Sequence, residues 1–176
     1  VDTRGVAEAG LKVVVDAAGG AAALVLPTLL GRLGVDVLTV NNRLDDVTTT
    51  ETLAGHMQAV HRLGELVSSS RAAFGVRFDH VGERLTIVDD RGQLVHDDRA
   101  LLVVLDLVAA ERGRGATFAL PVTTTRVAER VTGFHGAAIR WTSTAQGDLA
   151  GQAGEPGVVF AGDGRGGFAF PEFSRA

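Results

Sequence analysis

The apolar residues at the start of the chain first form a continuous run and then recur with a helical period. Leu11 to Val15 are all apolar apart from one lysine, and they end at Asp16 and two glycines, a pattern typical of a strand buried on both faces. The following segment, "AAALVLPTLLGRLG", places leucines near helical spacing and stops at Gly34. A second apolar run, "VDVLTV", comes directly afterwards. The pattern therefore predicts strand, helix and strand, with the two strands parallel.

A second helix is predicted after the polar loop "NNRLDDVTTT". Thr48 and Glu51 have the spacing of a capping box, which indicates that the helix starts nearby. One helical face of the segment that follows is apolar. The residues on that face are Leu53, Met57, Val60, Leu63 and Val67.

The third strand, "AAFGVRF", precedes a predicted hairpin. In "ERLTIVDDRGQLV" two short apolar stretches flank a reversal at Asp89 to Gly92. So short a turn cannot join parallel strands, so we expect the hairpin at or near an edge of the sheet.

The second half of the chain repeats the alternation of helices and strands. "HDDRALLVVLDLVAAERG" predicts a helix with acidic residues in its first turn, and "TTTRVAERVTG" predicts a short helix with a threonine cap. The predicted strands lie in "ATFALPV", "FHGAAIRW" and "GVVFAGDGRGGFAF", and a glycine-rich connection that could hold a short helix precedes the last of them. The fold class is therefore α/β, with two consecutive small α/β/α domains, residues 1–97 and 98–176, and mixed, mainly parallel sheets.

Composition narrows the class of protein. The 176 residues are 45% hydrophobic, which is enough for a packed core, and the net charge of -4 without a Lys/Arg block argues against nucleic acid as a partner. No apolar run approaches the roughly 18 residues that a membrane span needs. The chain has no cysteine, in keeping with a reducing compartment, so we expect a cytoplasmic protein. "VDTRGVAEAG" has neither an initiator Met nor a signal-peptide pattern, which suggests a piece excised from a longer chain.

Two segments between predicted elements carry candidate chemistry. In "FDHVGER", Asp79 and Glu83 could hold a cation, whereas Val81 between them could not. "GDGRGG", residues 162–167, superficially matches a dinucleotide fingerprint, but neither a helix nor an acidic residue about 20 positions on follows it. We interpret it as a turn with glycines at positive φ, and a close backbone approach to a ligand stays open as an alternative.

Other candidate motifs favour structural interpretations. "DAAGGAAA" opens a helix and could bind phosphate, but it lacks the full glycine spacing, so close helix–sheet packing is favoured. The five histidines form no ligand pair, and "SSS" lacks a nucleophile elbow.

Taken together, these segments resemble the α-D-phosphohexomutases, the phosphoglucomutase/phosphomannomutase family. The second domain of that family begins like "KVVVDAAGGAAALVLPTLLGRLG" and ends with a metal loop F-D-x-D-x-D-R, followed by a hairpin like "LTIVDDRGQLV". Its third domain has an apolar helix like "DDRALLVVLDLVAAERGRGA" and a sugar loop G-E-x-S-G-H, which falls on "GDGRGG". The resemblance covers nearly the whole chain in the right order, although no single motif is intact.

The resemblance implies a Mg²⁺ site in residues 78–84. Asp79 matches the first ligand and Arg84 matches the arginine that would orient the phosphoryl group. Val81 replaces the second ligand and Glu83 the third. Mg²⁺ needs oxygen ligands near octahedral positions, so we expect a cation to bind weakly at most.

The sugar loop, residues 162–167, also departs from the family pattern. Asp163 stands in place of the glutamate and would contact the sugar, Arg165 replaces the serine, and Gly167 replaces the histidine. The family's threonine–glycine–lysine loop falls near "TSTAQG", where Thr142 fits and Gly147 takes the lysine position.

The family interconverts hexose 1- and 6-phosphates through a phosphoserine on its first domain, and its fourth domain binds the substrate phosphate. This chain matches neither domain, so we expect no phosphoryl transfer by the chain alone. One interpretation is the middle of a phosphohexomutase-like protein, with a hexose phosphate and the other domains of the parent chain as partners. The other, favoured by the altered loops, is a non-catalytic structural or regulatory module, such as occurs fused behind sugar-1-phosphate nucleotidyltransferases. An unrelated α/β binding domain is a third interpretation.

Overall fold

The structure is a computed structural model that describes residues 3–44, 51–143, 151 and 153–173. It has the predicted α/β class and divides into two compact units, unit 1 (Val1–Val95) and unit 2 (His96–Ala176). Unit 1 contains α1 (Thr3–Glu8), β1 (Lys12–Asp16), α2 (Ala22–Arg32), β2 (Asp36–Val40), α3 (Leu53–Ser70), β3 (Phe74–Phe78), β4 (Leu85–Val88) and β5 (Leu94–Val95). Unit 2 contains α4 (Asp97–Arg112), β6 (Thr117–Pro121), α5 (Val127–Phe134), β7 (Ala138–Thr142), β8 (Val158–Gly162) and β9 (Phe168–Ala169).

The sheet of unit 1 has the strand order β2-β1-β3-β4-β5. β1 pairs in parallel with both β2 and β3, whereas β4 is antiparallel to β3 and to β5. The first two strands are therefore parallel and the hairpin lies at an edge, as the sequence predicted. The ends of β1, β2 and β3 meet at one edge of the sheet, called the carboxyl edge of unit 1 below.

The core of unit 1 lies on both faces of β1, because successive side chains of a strand point to opposite faces. Val14 packs with Leu63 and Val67 of α3 on one face. Val13 and Val15 pack on the other face, towards α1 and α2. A strand between two helical layers needs apolar side chains on both of its faces. The continuous apolar run of β1 therefore allowed this strand to be predicted from the sequence.

The helices of unit 1 differ from the predictions in their details. α3 is capped by Thr52, whose hydroxyl accepts a hydrogen bond from the Gly55 amide at 3.1 Å, whereas the predicted cap at Thr48 lies outside the described residues. Leu53 and Met57 belong to the predicted apolar face of this helix and are exposed. α1 was not predicted.

The sheet of unit 2 has the strand order β7-β6-β8-β9, with β6 parallel to β7 and β8 and with β9 antiparallel to β8. Phe118 and Phe160 lie on one face against Leu101 and Leu105 of α4. Ala119 lies on the opposite face. Unit 2 therefore has a core of its own.

Two predictions in unit 2 concern the start of α5 and the glycine-rich connection. The hydroxyl of Thr125 accepts a hydrogen bond from the Val127 amide at 3.4 Å, so a threonine binds an amide at the start of α5, in keeping with the prediction. The N-cap residue itself is Arg126, which makes no side-chain capping hydrogen bond. The guanidinium of Arg126 instead lies 4.7 Å from the ring centroid of Trp141. The glycine-rich connection falls largely on residues 144–150, outside the described part of the chain. None of the helices within the described ranges is both long and apolar enough to cross a bilayer.

Candidate functional site

The predicted metal loop is the connection between β3 and β4, and Asp79 closes it. Asp79 Oδ1 accepts hydrogen bonds from the backbone amides of Gly82, Glu83 and Arg84 at 2.7, 2.8 and 3.2 Å. The Asp79 amide donates to the Arg84 carbonyl at 2.9 Å. The carboxylate is therefore a turn-forming group, held by three donors of its own loop.

The neighbouring positions do not complete a cation site. Val81 is 63% exposed and supplies no oxygen, and Glu83 is exposed. Within residues 3–44, 51–143, 151 and 153–173, no group of three or more His, Cys, Asp or Glu side chains could hold a metal ion. Three amide hydrogens converge on Asp79 Oδ1, so this oxygen is used by the turn itself. The residues of this loop do not fit Mg²⁺.

The same arrangement occurs in two other hairpins. After β4, Asp89 Oδ1 accepts from the Arg91 and Gln93 amides at 3.0 and 2.8 Å. After β8, Asp163 Oδ1 accepts from the Arg165 and Gly167 amides at 2.7 and 2.9 Å. Aspartate is a common first residue of tight turns for this reason. The loop predicted to bind sugar is thus built like the plain β4–β5 turn.

The geometry of the sugar loop leaves no room for a larger residue at its end. A Cβ atom added to Gly167 would lie 2.9 Å from the Asp163 carboxylate, so the histidine of the family pattern would not fit this conformation. Gly164 and Gly166 have φ of 67° and 85°, as a glycine turn requires. Thr142 is buried and its hydroxyl donates to the Ser143 carbonyl at 3.2 Å. Gly147 lies outside the described residues.

The β3–β4 loop, residues 79–84, is hydrogen-bonded to the start of α2. The Ala21 amide donates to the His80 carbonyl at 3.1 Å. A Cβ atom on Gly20 would lie 2.1 Å from the same carbonyl oxygen, so only glycine permits this approach. The glycines of "DAAGGAAA" therefore allow close packing, and the partner at Gly20 is the loop after β3.

Asp16, Glu51 and Arg77 form a charged cluster at the carboxyl edge of unit 1 that the sequence did not predict. Arg77 Nε lies 3.2 Å from Asp16 Oδ2, and Arg77 Nη2 lies 2.6 Å from Glu51 Oε1. Asp16 is 2% exposed and Arg77 6% exposed. The sequence did contain a clue, since Arg77 is the one charged residue of "AAFGVRF". Its register partner, Asp16, could be identified only from the pairing of β1 with β3.

Comparisons with known proteins agree with the fold. The sequence profile described as phosphoglucomutase/phosphomannomutase, alpha/beta/alpha domain II, matches residues 1–92. A phosphoglucosamine mutase of Aliarcobacter butzleri is 38% identical over 93 residues, which are 52% of this chain and 20% of that protein. A phosphoglucomutase/phosphomannomutase of Thermococcus kodakarensis is 29% identical over 180 residues, which are 98% of this chain and 38% of that protein.

A solved structure is similar over most of the chain. The phosphoglucomutase/phosphomannomutase family protein of Burkholderia thailandensis has a TM-score of 0.79 and 25% identity, covering 91% of this chain and 35% of that chain. This chain thus spans less than two fifths of the length of these relatives. The profile match covers more than half of the residues, and the structural match extends into unit 2. The chain therefore belongs to the α-D-phosphohexomutase family, the family of the phosphoglucomutases and phosphomannomutases.

Proposed function

We propose that the chain is a non-catalytic, mutase-like module of carbohydrate metabolism. The observation that carries the proposal is the use of Asp79 and Asp163, both of which bind backbone amides of their own turns through Oδ1. In the family pattern these two positions belong to the metal loop and the sugar loop. Here each closes a hairpin, and this structural use of the two aspartates supports the proposal.

Phosphoryl transfer depends on positioning and on charge stabilisation of the transferred group. A cation held next to the phosphoryl group supplies much of that stabilisation in mutase chemistry. The β3–β4 loop does not fit Mg²⁺. It would therefore offer a phosphoryl group the positive charge of Arg84 without that of a metal ion. The chain by itself is therefore expected to have no mutase activity.

The test is direct measurement of turnover by ³¹P NMR. The purified chain is incubated with a hexose 1-phosphate, the matching hexose 1,6-bisphosphate and Mg²⁺, with an active phosphohexomutase run in parallel. We expect the 6-phosphate signal to appear only in the parallel sample. Formation of 6-phosphate by this chain, lost in Asp79→Ala, would overturn the proposal.

Binding of a hexose phosphate without turnover is part of the proposal, and Arg165 is the residue most able to support it. Its side chain is exposed at the tip of the 163–167 turn. We expect weak binding that shifts the amide resonances of this turn in an ¹⁵N NMR titration and disappears in Arg165→Ala. Arg91→Ala is the matched control, because Arg91 holds the corresponding place, two residues after Asp89, in the β4–β5 turn. Equal losses in both variants would argue against a specific site.

Catalysis by a longer parent chain is the second candidate. The similarity to the Thermococcus kodakarensis protein runs through 98% of this chain, as expected of two middle domains of a mutase. Sequencing the parent gene separates the candidates. A serine-bearing mutase domain encoded upstream would favour catalysis, whereas an adjoining sugar-1-phosphate nucleotidyltransferase domain would favour a structural or regulatory module in the cytoplasm.

A further inference from the structure

The charged cluster at the carboxyl edge of unit 1 connects three elements that are distant in sequence. Asp16 ends β1, Arg77 lies on β3, and Glu51 lies just before α3. Arg77 is on the same face of β3 as Gly75, which packs against Leu63 of α3. Its guanidinium therefore runs beneath the start of α3, where it reaches Glu51 at 2.6 Å.

Burial makes these contacts obligatory. An isolated ion inside a protein is strongly disfavoured, so a buried guanidinium persists only where carboxylates and carbonyls surround it. Arg77 Nε has no well-aligned hydrogen-bond acceptor among the residues that the structure describes, so its 3.2 Å approach to Asp16 is a charge contact rather than a hydrogen bond. Arg77 Nη1 also lies 3.4 Å from the Phe78 carbonyl. Arg77 is thus in contact with Phe78, the last residue of β3, which directly precedes the β3–β4 loop.

Asp16 extends the cluster into the backbone of the same edge. Its Oδ1 accepts from the Ala18 amide and from Asn41 Nδ2, both at 2.9 Å. Ala18 and Asn41 have φ of 51° and 47°, a conformation that costs a non-glycine residue free energy. The ends of β1 and β2 are therefore held in a strained geometry by a carboxylate that Arg77 neutralises.

We propose that the guanidinium of Arg77 is a fixed, internal cation that holds the carboxyl edge of unit 1 together, in the structural role that a bound divalent cation could fill. It joins β1, β3 and the start of α3 through two carboxylates. Arg77 offsets the charge of one of these two carboxylates without a metal, in accord with a β3–β4 loop that does not fit Mg²⁺. This inference goes beyond the proposed function and holds or fails independently of it, because it concerns contacts within unit 1 and no sugar phosphate.

The test replaces the internal cation by an external one. In Arg77→Ala the vacated space is bordered by Asp16 and Glu51, oxygen donors of the kind that Mn²⁺ binds. We expect Mn²⁺ to leave the melting temperature of the wild type unchanged and to raise that of Arg77→Ala. The double variant Arg77→Ala, Glu51→Gln should lose this rise. A folded Arg77→Ala protein that does not respond to Mn²⁺ would overturn the proposal, as would Mn²⁺ stabilisation of the wild type.

A milder variant decides the matter if Arg77→Ala does not fold at any Mn²⁺ concentration. Glu51→Gln keeps the side-chain length and removes the charge of a half-exposed carboxylate, which contacts Arg77 and also lies 3.4 Å from His56 Nδ1. We expect faster amide hydrogen exchange in the first turn of α3 and in residues 16–20. Glu65→Gln, at an exposed position on the same helix, is the control and should leave exchange there unchanged. Unchanged exchange in Glu51→Gln would overturn the proposal.

Discussion

Asp79, Asp89 and Asp163 each stand first in a hairpin turn and use Oδ1 to bind amides of that turn. The sequence placed Asp79 correctly at the end of a strand and Asp163 correctly in a glycine turn. Which atoms reach each carboxylate could not be predicted, because the donors are backbone amides whose directions depend on the turn conformation. The sequence alone does not distinguish an aspartate that binds a metal or a sugar from one that caps a turn. The hydrogen bonds of each carboxylate make that distinction.

Replacing Asp79 by alanine should destabilise unit 1 without any metal being involved. Three amides lose a charged acceptor in a solvent-accessible turn, so we expect a loss of about 1–2 kcal/mol. Amide hydrogen exchange of β3 and β4, measured with and without EDTA, reports the change. Glu83→Ala, four residues on in the same loop, should stay within about 0.5 kcal/mol of the wild type. Equal effects of the two variants, or a dependence on EDTA, would contradict this role of Asp79.

At the scale of the elements, the strands were the easiest part to predict and the helix ends the hardest. β1 and β3 are apolar because they lie between two layers, and that pattern is local. The start of α3 at Thr52 and that of α5 near Thr125 depend on which side chain accepts a hydrogen bond from a nearby backbone amide. The Asp16–Arg77 contact depends on strand register, which a single sequence does not reveal.

The packing of α2 on the β3–β4 loop is tested at Gly20. A methyl group here would lie 2.1 Å from the His80 carbonyl oxygen, so Gly20→Ala must displace the loop or the helix start. We expect a loss of about 1–3 kcal/mol in thermal unfolding of unit 1, with altered amide resonances in residues 79–84.

Gly31, in the last turn of α2, provides the matched control. No heavy atom of the described residues lies within 4 Å of a Cβ added at this position. Gly31→Ala should therefore stabilise α2 by up to about 1 kcal/mol, because alanine has the higher helix propensity. If both glycine variants were equally destabilised, the close approach at Gly20 would not be the cause.

At the scale of the whole molecule, two α/β units each have a core of their own. The order of apolar and polar segments was enough to predict this organisation, and the resemblance of the same segments to the phosphohexomutases indicated the family. The function could not be predicted to the same depth. It depends on a few side chains in two turns, and only their hydrogen bonds show how they are used.

The core of unit 2 is tested by two leucines on one helix. Leu101 is fully buried against β6 and β8, whereas Leu107 is 65% exposed on the same helix. We expect Leu101→Ala to lose about 2–5 kcal/mol and Leu107→Ala to stay within about 0.5 kcal/mol. Trp141 is the single tryptophan and lies on β7, so its fluorescence in a urea titration follows unit 2. Similar losses in both variants would mean that α4 does not pack as described.

Calorimetric titration of Mg²⁺ and Mn²⁺ into the wild-type chain shows whether the β3–β4 loop is a turn without a cation. We expect no saturable heat with the wild type. The double variant Val81→Asp, Glu83→Asp restores the carboxylates of the family pattern and shows whether their loss alone abolished binding. Saturable binding by the wild type that disappears in Asp79→Ala would contradict the claim.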